Sequence, residues 1–420
     1  MIVGIIGSGG REHAICAKIK ESPKINKIFC IPGNAGTKKI AENIDIKIDD
    51  FKSIKEFCNK NKIDLLIVGP EQPLVDGIVD YMEGSKVKVF GPNKIASQLE
   101  GSKIFTKKIC KKYKIPTANF KIFENLNDTK KYLTNSKYPI VIKSDGLAAG
   151  KGVYICKNYA EGEIAAKEIF SGKFGIAKEL LVEEFLSGEE MSYFVICDGK
   201  DYKFFGTAQD HKRVGEGDIG KNTGGMGCYS PSRLFTSKLI EKINMKIVNP
   251  TLNAINDLGT TYKGFLYVGL MIKDNEPYLI EFNVRMGDPE CQTILPMLQS
   301  DLFEIFYNCC LECLNKTEVK LSDQKSICIV LCSIGYPEEY KKDVEIQNLD
   351  NLVLKENENV FHAGTKSKNN MILAAGGRVL NFVSKSNNFK KSREDIINLI
   401  NKLDWKEGFF RRDIGYKVID

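Results

Sequence analysis

The chain has 420 residues, is 43% hydrophobic and 27% charged, and carries 61 Lys and Arg against 54 Asp and Glu, a net charge of +7. That composition excludes a disordered, fibrous or low-complexity protein and leaves room for about two to four cored domains. The positive excess is spread along the chain, which suits anionic metabolites and argues against a nucleic-acid surface, and no apolar run is long enough to span a membrane.

Core-like sequence begins at Met1 with no basic leader before it, and the 13 cysteines show no disulfide-framework spacing. A reduced, cytoplasmic protein without a secretory signal is the expectation. Through the first hundred residues, apolar runs at 2–6, 28–31, 65–68 and 87–90 alternate with helical stretches at 13–20, 51–59 and 74–82. That alternation predicts a small parallel α/β sheet, whose ligands gather in the loops after its strands. Those loops read Gly7-Ser-Gly-Gly-Arg-Glu-His13, Gly33-Asn-Ala-Gly-Thr37 and Gly69-Pro-Glu71. The first approaches G-x-G-x-x-G but places Glu12 at the last glycine, so it is a weak dinucleotide signal. Gly9 and Gly10 ahead of a helix could still receive a monophosphate, with Arg11 as counter-ion.

Residues 99–103, Leu-Glu-Gly-Ser-Lys, open a lysine-rich helix over 103–113 with Phe105, Ile109 and Tyr113 on its core face. Most of its lysines read as a solvated surface, whereas Lys103, in the first turn, could face a cleft. Within 140–156, two β-branched runs flank a loop with glycines at 146, 150 and 152 between Lys143 and Lys151. The prediction is strand–loop–strand, with backbone N–H groups able to approach a polyphosphate. A glycine hairpin with surface lysines would read the same way. The spacing is not that of a Walker A loop, and the segment that follows is strand-like.

A strand over 180–186 ends in the polar edge of Glu183 and Glu184, followed by Glu189 and Glu190. Such an edge could read a purine and a ribose, or be a plain surface strand end. Residues 209–227 form a long polar, glycine-rich stretch containing Asp210, His211, Lys212 and Arg213, which predicts a loop that closes on substrate. Strands at 264–273 and 277–283 follow, and the period of two puts Glu281, Asn283 and Arg285 on one face, with Phe282 and Val284 on the other. Carboxylate plus amide oxygen suits Mg²⁺, and Arg285 could grip a carboxylate; an amphipathic edge strand is the plainer alternative. After a helix over 301–315, residues 326–420 read as a further α/β module with segments at 327–334, 360–366, 372–383, 393–403 and 408–414. Cys310, Cys313, Cys328 and Cys332 have a loose zinc-type spacing, but Leu302, Phe306, Cys309, Cys310 and Cys313 recur at helical spacing. Buried structural thiols are therefore expected.

In order, these loops resemble those of the ATP-grasp superfamily, and within it the phosphoribosylamine–glycine ligase family. The stretches that carry the resemblance are 9–13, 32–37, 67–71, 99–103, 143–153, 183–186, 209–214, 222–227 and 280–290, with 361–365, 376–378 and 412–415 in the last module. The resemblance implies an N-terminal parallel α/β domain over 1–100 that binds substrate. It further implies an ATP-grasp domain over 101–325 with a mobile subdomain at about 118–188, and a C-terminal α/β domain over 326–420. It implies ligation of glycine to 5-phosphoribosylamine, with ATP as co-substrate, through a glycyl phosphate in purine synthesis. Mg²⁺ is the implied metal, with Mn²⁺ as an alternative, and a monomer without nucleic-acid or membrane partners is expected.

By the same resemblance, Lys103 and Lys143 neutralise ATP phosphates beneath the loop of Gly146, Gly150 and Gly152. Glu183 to Leu186 read adenine, Glu190 the ribose, and Glu281 with Asn283 hold the metal. Arg285, Lys212 and Asp210 serve the chemistry, while Gly10, Arg11, Asn34, Gly36, Thr37 and Glu71 receive phosphoribosylamine. The strand preceding Glu281 carries no second metal carboxylate at 267–272, and Ser144 and Val284 stand where Ala and Cys are common; a chain without the later purine enzymes of multifunctional versions is the expectation. Two other readings predict different behaviour: an ATP-grasp ligase for another acid and amine, or an inactive nucleotide-sensing module.

Overall fold

The computed structural model describes residues 1–148, 152–175 and 178–419. Its first sheet is parallel, with Ile2–Gly7 at the centre, Lys27–Pro32 and Glu42–Asn43 on one side, and Leu65–Val68 and Lys88–Phe90 on the other. Val3, Ile5 and Ile6 are fully buried because helices cover both faces of the sheet. Strand order reverses at Ile2–Gly7, so its carboxyl end is the topological switch point where such sheets take ligands. The loops at Gly7, Gly33 and Gly69 all lie there. The helix expected over 74–82 is two short ones, Glu71–Asp76 and Ile78–Tyr81, divided by Gly77 at φ +98°.

A second, antiparallel sheet forms the centre of the molecule. Its order is Glu276–Asn283, Lys263–Lys273, Glu189–Asp198, Tyr202–Asp210, Gly227–Ser230, Lys325–Ser333, Arg378–Ser386 and Glu358–His362, with Gly408–Phe409 paired beside Lys325–Ser333. Gly227–Ser230 pairs with Lys325–Ser333 in the register Cys228↔Cys328. The last module thus adds strands to the middle sheet, and keeps a small three-stranded sheet of its own in the order Val344–Glu345, Met371–Ala374 and Thr365–Lys368. One hydrophobic core accordingly runs through Val3, Phe194, Cys228, Ile329 and Phe382.

The smaller antiparallel sheet has the order Phe120–Phe123, Leu180–Glu184, Ile140–Ser144 and Val153–Cys156. It is backed by the helices Leu126–Thr134 and Tyr159–Phe170 and has a separate core around Leu133, Ile142, Ala166, Ile169 and Val182. A lobe with its own core can move against the rest of a chain.

Three local expectations are corrected. The 209–227 stretch is not an open loop: after Tyr202–Asp210 it forms the hairpin Arg213–Gly215 and Ile219–Asn222. Arg411, 1% exposed, fastens that hairpin by donating to the Arg213 carbonyl at 2.9 Å and to Asp218 at 2.8 Å, with Asp413 as its other partner. The run at 372–383 is two strands in different sheets, Met371–Ala374 and Arg378–Ser386, because Gly376 and Gly377 break it. Cys313 lies beyond the end of Leu302–Cys310, while Cys328 and Cys332 are buried in Lys325–Ser333. Among the described residues, no helix is long and apolar enough to cross a membrane.

Candidate active site

The cleft starts at the turn opening Lys103–Tyr113. Ser102 caps that helix, its Oγ accepting from the Phe105 N–H at 3.0 Å. The same hydroxyl donates to the Asp145 carboxylate, which also accepts from the Ile104 N–H at 3.1 Å. These bonds pin the end of Ile140–Ser144 against the helix and set Lys103 Nζ 2.8 Å from the Gly146 carbonyl. Burial lowers the Lys103 ammonium from its ordinary value, and Glu281 opposes that shift. Gly146, at φ +84°, has open space where a side chain would be. Gly152 packs against Ala148 and Ser144, and Gly150 lies outside the described residues.

Lys143 pairs with Glu183 Oε2 at 2.7 Å, and Lys107 pairs with Glu183 Oε1 at 2.8 Å, all three side chains at most 8% exposed. Lys107 is therefore not part of a solvated face. Its turn of the helix faces Leu180–Glu184, and a buried ammonium needs a carboxylate beside it. Glu183 is closed in turn between two lysines, so its carboxylate does not face a base. Burial pulls that carboxyl up, but the two ammonium groups outweigh it and hold it below its ordinary value. The neighbouring Glu184 accepts from Asn119 at 2.9 and 3.0 Å. The main chain of Phe185 and half-buried Leu186 lies beyond Glu184, the last paired residue of the strand.

Opposite this lobe, Lys212 Nζ meets Glu190 Oε2 at 2.8 Å with both side chains partly exposed. Asp210 ends the Tyr202–Asp210 strand beside them. Burial pushes its carboxyl up to about 7, against the pull of Lys212 and with help from Glu290 and Glu190.

Glu281, Asn283 and Arg285 do share one face, since Phe282 and Val284 are 2% and 1% exposed. Glu281 has no hydrogen bond or ion pair among the described residues, yet it lies close enough to raise both Lys103 and Lys212. One end of the Asn283 amide lies 3.1 Å from both Glu100 Oε1 and the Phe282 carbonyl, and because both neighbours are acceptors that end is assigned as the nitrogen, which puts the amide oxygen on the other side. Among the described residues, no group of three or more His, Cys, Asp or Glu could hold a metal. An unpartnered carboxylate and a free amide oxygen on one strand face nevertheless fit Mg²⁺, which commonly takes one or two protein oxygens and completes its shell with water and phosphate.

The third wall comes from the parallel sheet. Arg285 donates to Glu71 at 3.1 Å, to Glu100 at 2.7 Å and to the Met286 carbonyl at 3.1 Å. Glu71 is drawn down to about 2, chiefly by Arg285. Burial pushes the Glu100 carboxyl up to about 7 against the pull of Arg285. Buried Arg11 donates to Glu12 at 2.7 Å and to the Met286 carbonyl at 3.1 Å. Both guanidinium groups line one cavity of about 10 Å³, with Gly69 and Phe90.

Asn34, Gly36 and Thr37 lie in the neighbouring loop after Lys27–Pro32, outside the lining of this cavity, and the Asn34 and Thr37 side chains are already engaged. Asn34 Oδ1 accepts from the Gly36 and Thr37 N–H groups at 2.8 and 3.0 Å, while its Nδ2 donates to the Ser8 and His362 carbonyls at 2.8 Å. Thr37 is fully buried and donates to Asn43 at 2.8 Å. Gly10 is also buried, and a Cβ there would stand 2.2 Å from Asn381 Nδ2. Glu100, Lys107, His13 and His362 belong to the site's surroundings although sequence reasoning assigned them nothing. For Lys107 the sequence offers no distinguishing signal, because it is one of several lysines in an amphipathic helix.

A lobe with its own core, hung over an antiparallel sheet whose lysines converge on an acidic strand, defines an ATP-grasp enzyme. Family models match in that sense. The phosphoribosylglycinamide synthetase N domain covers residues 1–100, its ATP-grasp (A) domain 101–291, and its C domain 326–417. A phosphoribosylamine–glycine ligase of Mesorhizobium japonicum is 43% identical over 420 residues, covering 100% of this chain and 99% of its own; one from Pasteurella multocida is 44% identical over 424 residues, covering 100% and 98%. The crystal structure of the Thermotoga maritima phosphoribosylamine–glycine ligase superposes with a TM-score of 0.84 at 32% identity, covering 99% of this chain and 100% of that one. The biotin carboxylase domain of Hydrogenobacter thermophilus 2-oxoglutarate carboxylase shares the fold alone, at 16% identity and a TM-score of 0.73, with 97% and 91% coverage. The chain belongs to the phosphoribosylglycinamide synthetase (phosphoribosylamine–glycine ligase) family.

Proposed function

We infer that the chain joins glycine to 5-phosphoribosylamine, turning ATP into ADP and phosphate and releasing glycinamide ribonucleotide for purine biosynthesis. One observation carries the reading. Lys103 and Lys212 both lie close to Glu281, Lys143 lies beside Lys103, and Arg285 lines one cavity with Arg11. A nucleotide tail and a second anionic substrate would therefore meet around Arg285.

A carboxylate is a poor acyl donor, so it must first be phosphorylated. A glycine carboxylate oxygen attacks the γ-phosphorus and ADP leaves. The amine of phosphoribosylamine then attacks the carbonyl carbon, phosphate departs with one former glycine oxygen, and the amine loses a proton. Catalysis of the first step is mostly positioning and charge neutralisation. Lys103 and Lys143 hold the phosphates under the Gly146–Gly152 loop, and the main chain at 185–186 reads the adenine edge. Glu190 takes the ribose hydroxyls once Lys212 turns to the transferring phosphoryl group. Mg²⁺, or Mn²⁺, bound by Glu281 and Asn283 would neutralise the β and γ oxygens. Arg285 orients the glycine carboxylate with its remaining N–H groups, and Arg11, with the main chain at Gly10, receives the phosphate of phosphoribosylamine, while Gly36 and Thr37 hold the Asn34 loop beside them. Glu71 acts on that substrate through Arg285. Asp210, held neutral more readily than an ordinary carboxyl, receives the amine proton when ionised. A cytoplasmic monomer completes the proposal.

The test is a coupled ADP assay on the purified chain, omitting glycine and phosphoribosylamine in turn, followed by a run with glycine labelled in its carboxylate oxygens. ADP release should need the full substrate set, and label should emerge in phosphate. ADP release without glycine, or unlabelled phosphate, overturns the glycyl phosphate route.

A further inference from the structure

Three consecutive residues, Asn283, Val284 and Arg285, direct one donor each at a single buried side chain. Glu100 Oε1 accepts from Arg285 Nη2 at 2.7 Å and Oε2 from the Val284 N–H at 2.7 Å, and the end of the Asn283 amide 3.1 Å from Oε1 is assigned as its nitrogen because the Phe282 carbonyl beside it is also an acceptor. The Glu100 side chain is 7% exposed and sits near the end of Lys94–Gly101, two residues before the cap of the helix that carries Lys103. Asn283 and Arg285 point to the same side of the chain, and the carboxylate lies between them.

We propose that Glu100 is the positioning residue that sets the metal-binding rotamer of Asn283 and the aim of Arg285 together. The inference rests on the assignment of Glu281 and Asn283 to the metal. An asparagine can present either an oxygen or an NH₂ group to a cation, and only the oxygen binds. Both Glu100 oxygens already receive donors, Oε1 from Arg285 and Oε2 from the Val284 N–H, so the group is placed as an acceptor and favours the orientation in which the Asn283 nitrogen faces inward and the oxygen faces outward. The same carboxylate holds Arg285 by one Nη group, and with Glu71 and the Met286 carbonyl taking two more N–H groups, one N–H on each Nη nitrogen is left to turn toward an anion. The strand end between them is fixed by the Val284 N–H bond. Partners beyond the direct ligands typically change metal affinity by about tenfold to a hundredfold when removed.

The test is a double-mutant cycle read by titrating Mn²⁺ against ADP-saturated protein and following free Mn²⁺ by electron paramagnetic resonance. Glu100→Gln keeps the size but turns one acceptor into a donor, which favours the wrong Asn283 rotamer; Mn²⁺ affinity should fall at least about tenfold. Asn283→Asp alone sets two carboxylates against each other and should also weaken binding. When the two substitutions are combined, the new amide at position 100 can donate to one oxygen of the new carboxylate at position 283 while the other oxygen meets the metal. The double variant should therefore recover most of the affinity, a strongly non-additive result. Additive losses, or a Glu100→Gln protein that binds Mn²⁺ like the parent, would overturn the proposal. If Glu100→Gln alone fails to fold, the comparison of Asn283→Asp with the double variant still decides. Unchanged Mn²⁺ binding in Glu281→Gln would instead reject the metal assignment itself.

Discussion

At the scale of single residues, the site is governed by which charges are forced to share a buried place. Glu183 between Lys107 and Lys143 leaves the trio with one surplus positive charge facing the cleft. Lys143 alone against Glu183 would be neutral, so Lys107 supplies the charge that lets Lys143 serve a phosphate. Lys107→Gln should therefore raise the KM for ATP about tenfold, equivalent to about 1.4 kcal/mol, while the KM for glycine stays within about twofold. Steady-state kinetics on the folded variant would check this, and an unchanged KM for ATP would mean that Lys107 serves stability alone. Sequence pattern could not reveal this role, because the helix 103–113 reads as amphipathic with lysines on its outer side. What makes Lys107 different is Glu183, distant in sequence and brought to it by the pairing of Phe120–Phe123 with Leu180–Glu184.

At the scale of elements, the loops were legible and their neighbours were not. Apolar runs located Leu65–Val68 and Lys88–Phe90 almost to the residue, and the period of two correctly put Glu281, Asn283 and Arg285 on one face. Legibility failed wherever a partner comes from another module. Gly36 illustrates the difference: its φ of −77° suits any residue, so turn chemistry does not require glycine there. A Cβ at Gly36 would stand 2.3 Å from His13 Cε1 and 2.6 Å from His362 Cδ2, and that contact is what demands glycine. Gly36→Ala should force the loop outward, destabilise the protein by roughly 1–3 kcal/mol, and raise the KM for phosphoribosylamine more than that for ATP. Equal rises in both would show that the loop frame reaches the nucleotide end of the cleft. The hairpin at 213–222 failed to register in the sequence for the same reason, since Arg411, nearly two hundred residues away, holds it in place.

At the scale of the whole molecule, the first and last modules are sewn together by buried, neutral imidazoles. His13 Nδ1 accepts from the His362 N–H at 2.8 Å, and the His362 carbonyl accepts from Asn34. The chain has only three histidines. Burial lowers His13 and His362 to about 3, and burial with the nearby Arg411 lowers His211 to about 4. A base with a folded pKa below its unfolded value binds protons more readily when unfolded, so its contribution to stability is present above about pH 6.5 and is lost as pH falls. From pH 7 to pH 5 each imidazole should cost about 2 kcal/mol of stability. Asp210, raised to about 7, acts with the opposite sign across the same window, so total stability is a poor readout. The informative quantity is the difference between His13→Gln and the parent, which should grow by about 2 kcal/mol in favour of the variant between those two pH values. Nuclear magnetic resonance titration of the imidazole carbons supplies a second check: in the folded protein, no histidine should titrate between about pH 5.5 and 8. A His13 resonance that moves with a midpoint near the ordinary imidazole value would mean the junction of the first and last modules admits water, and the clasp would have to be sought in the sheet instead.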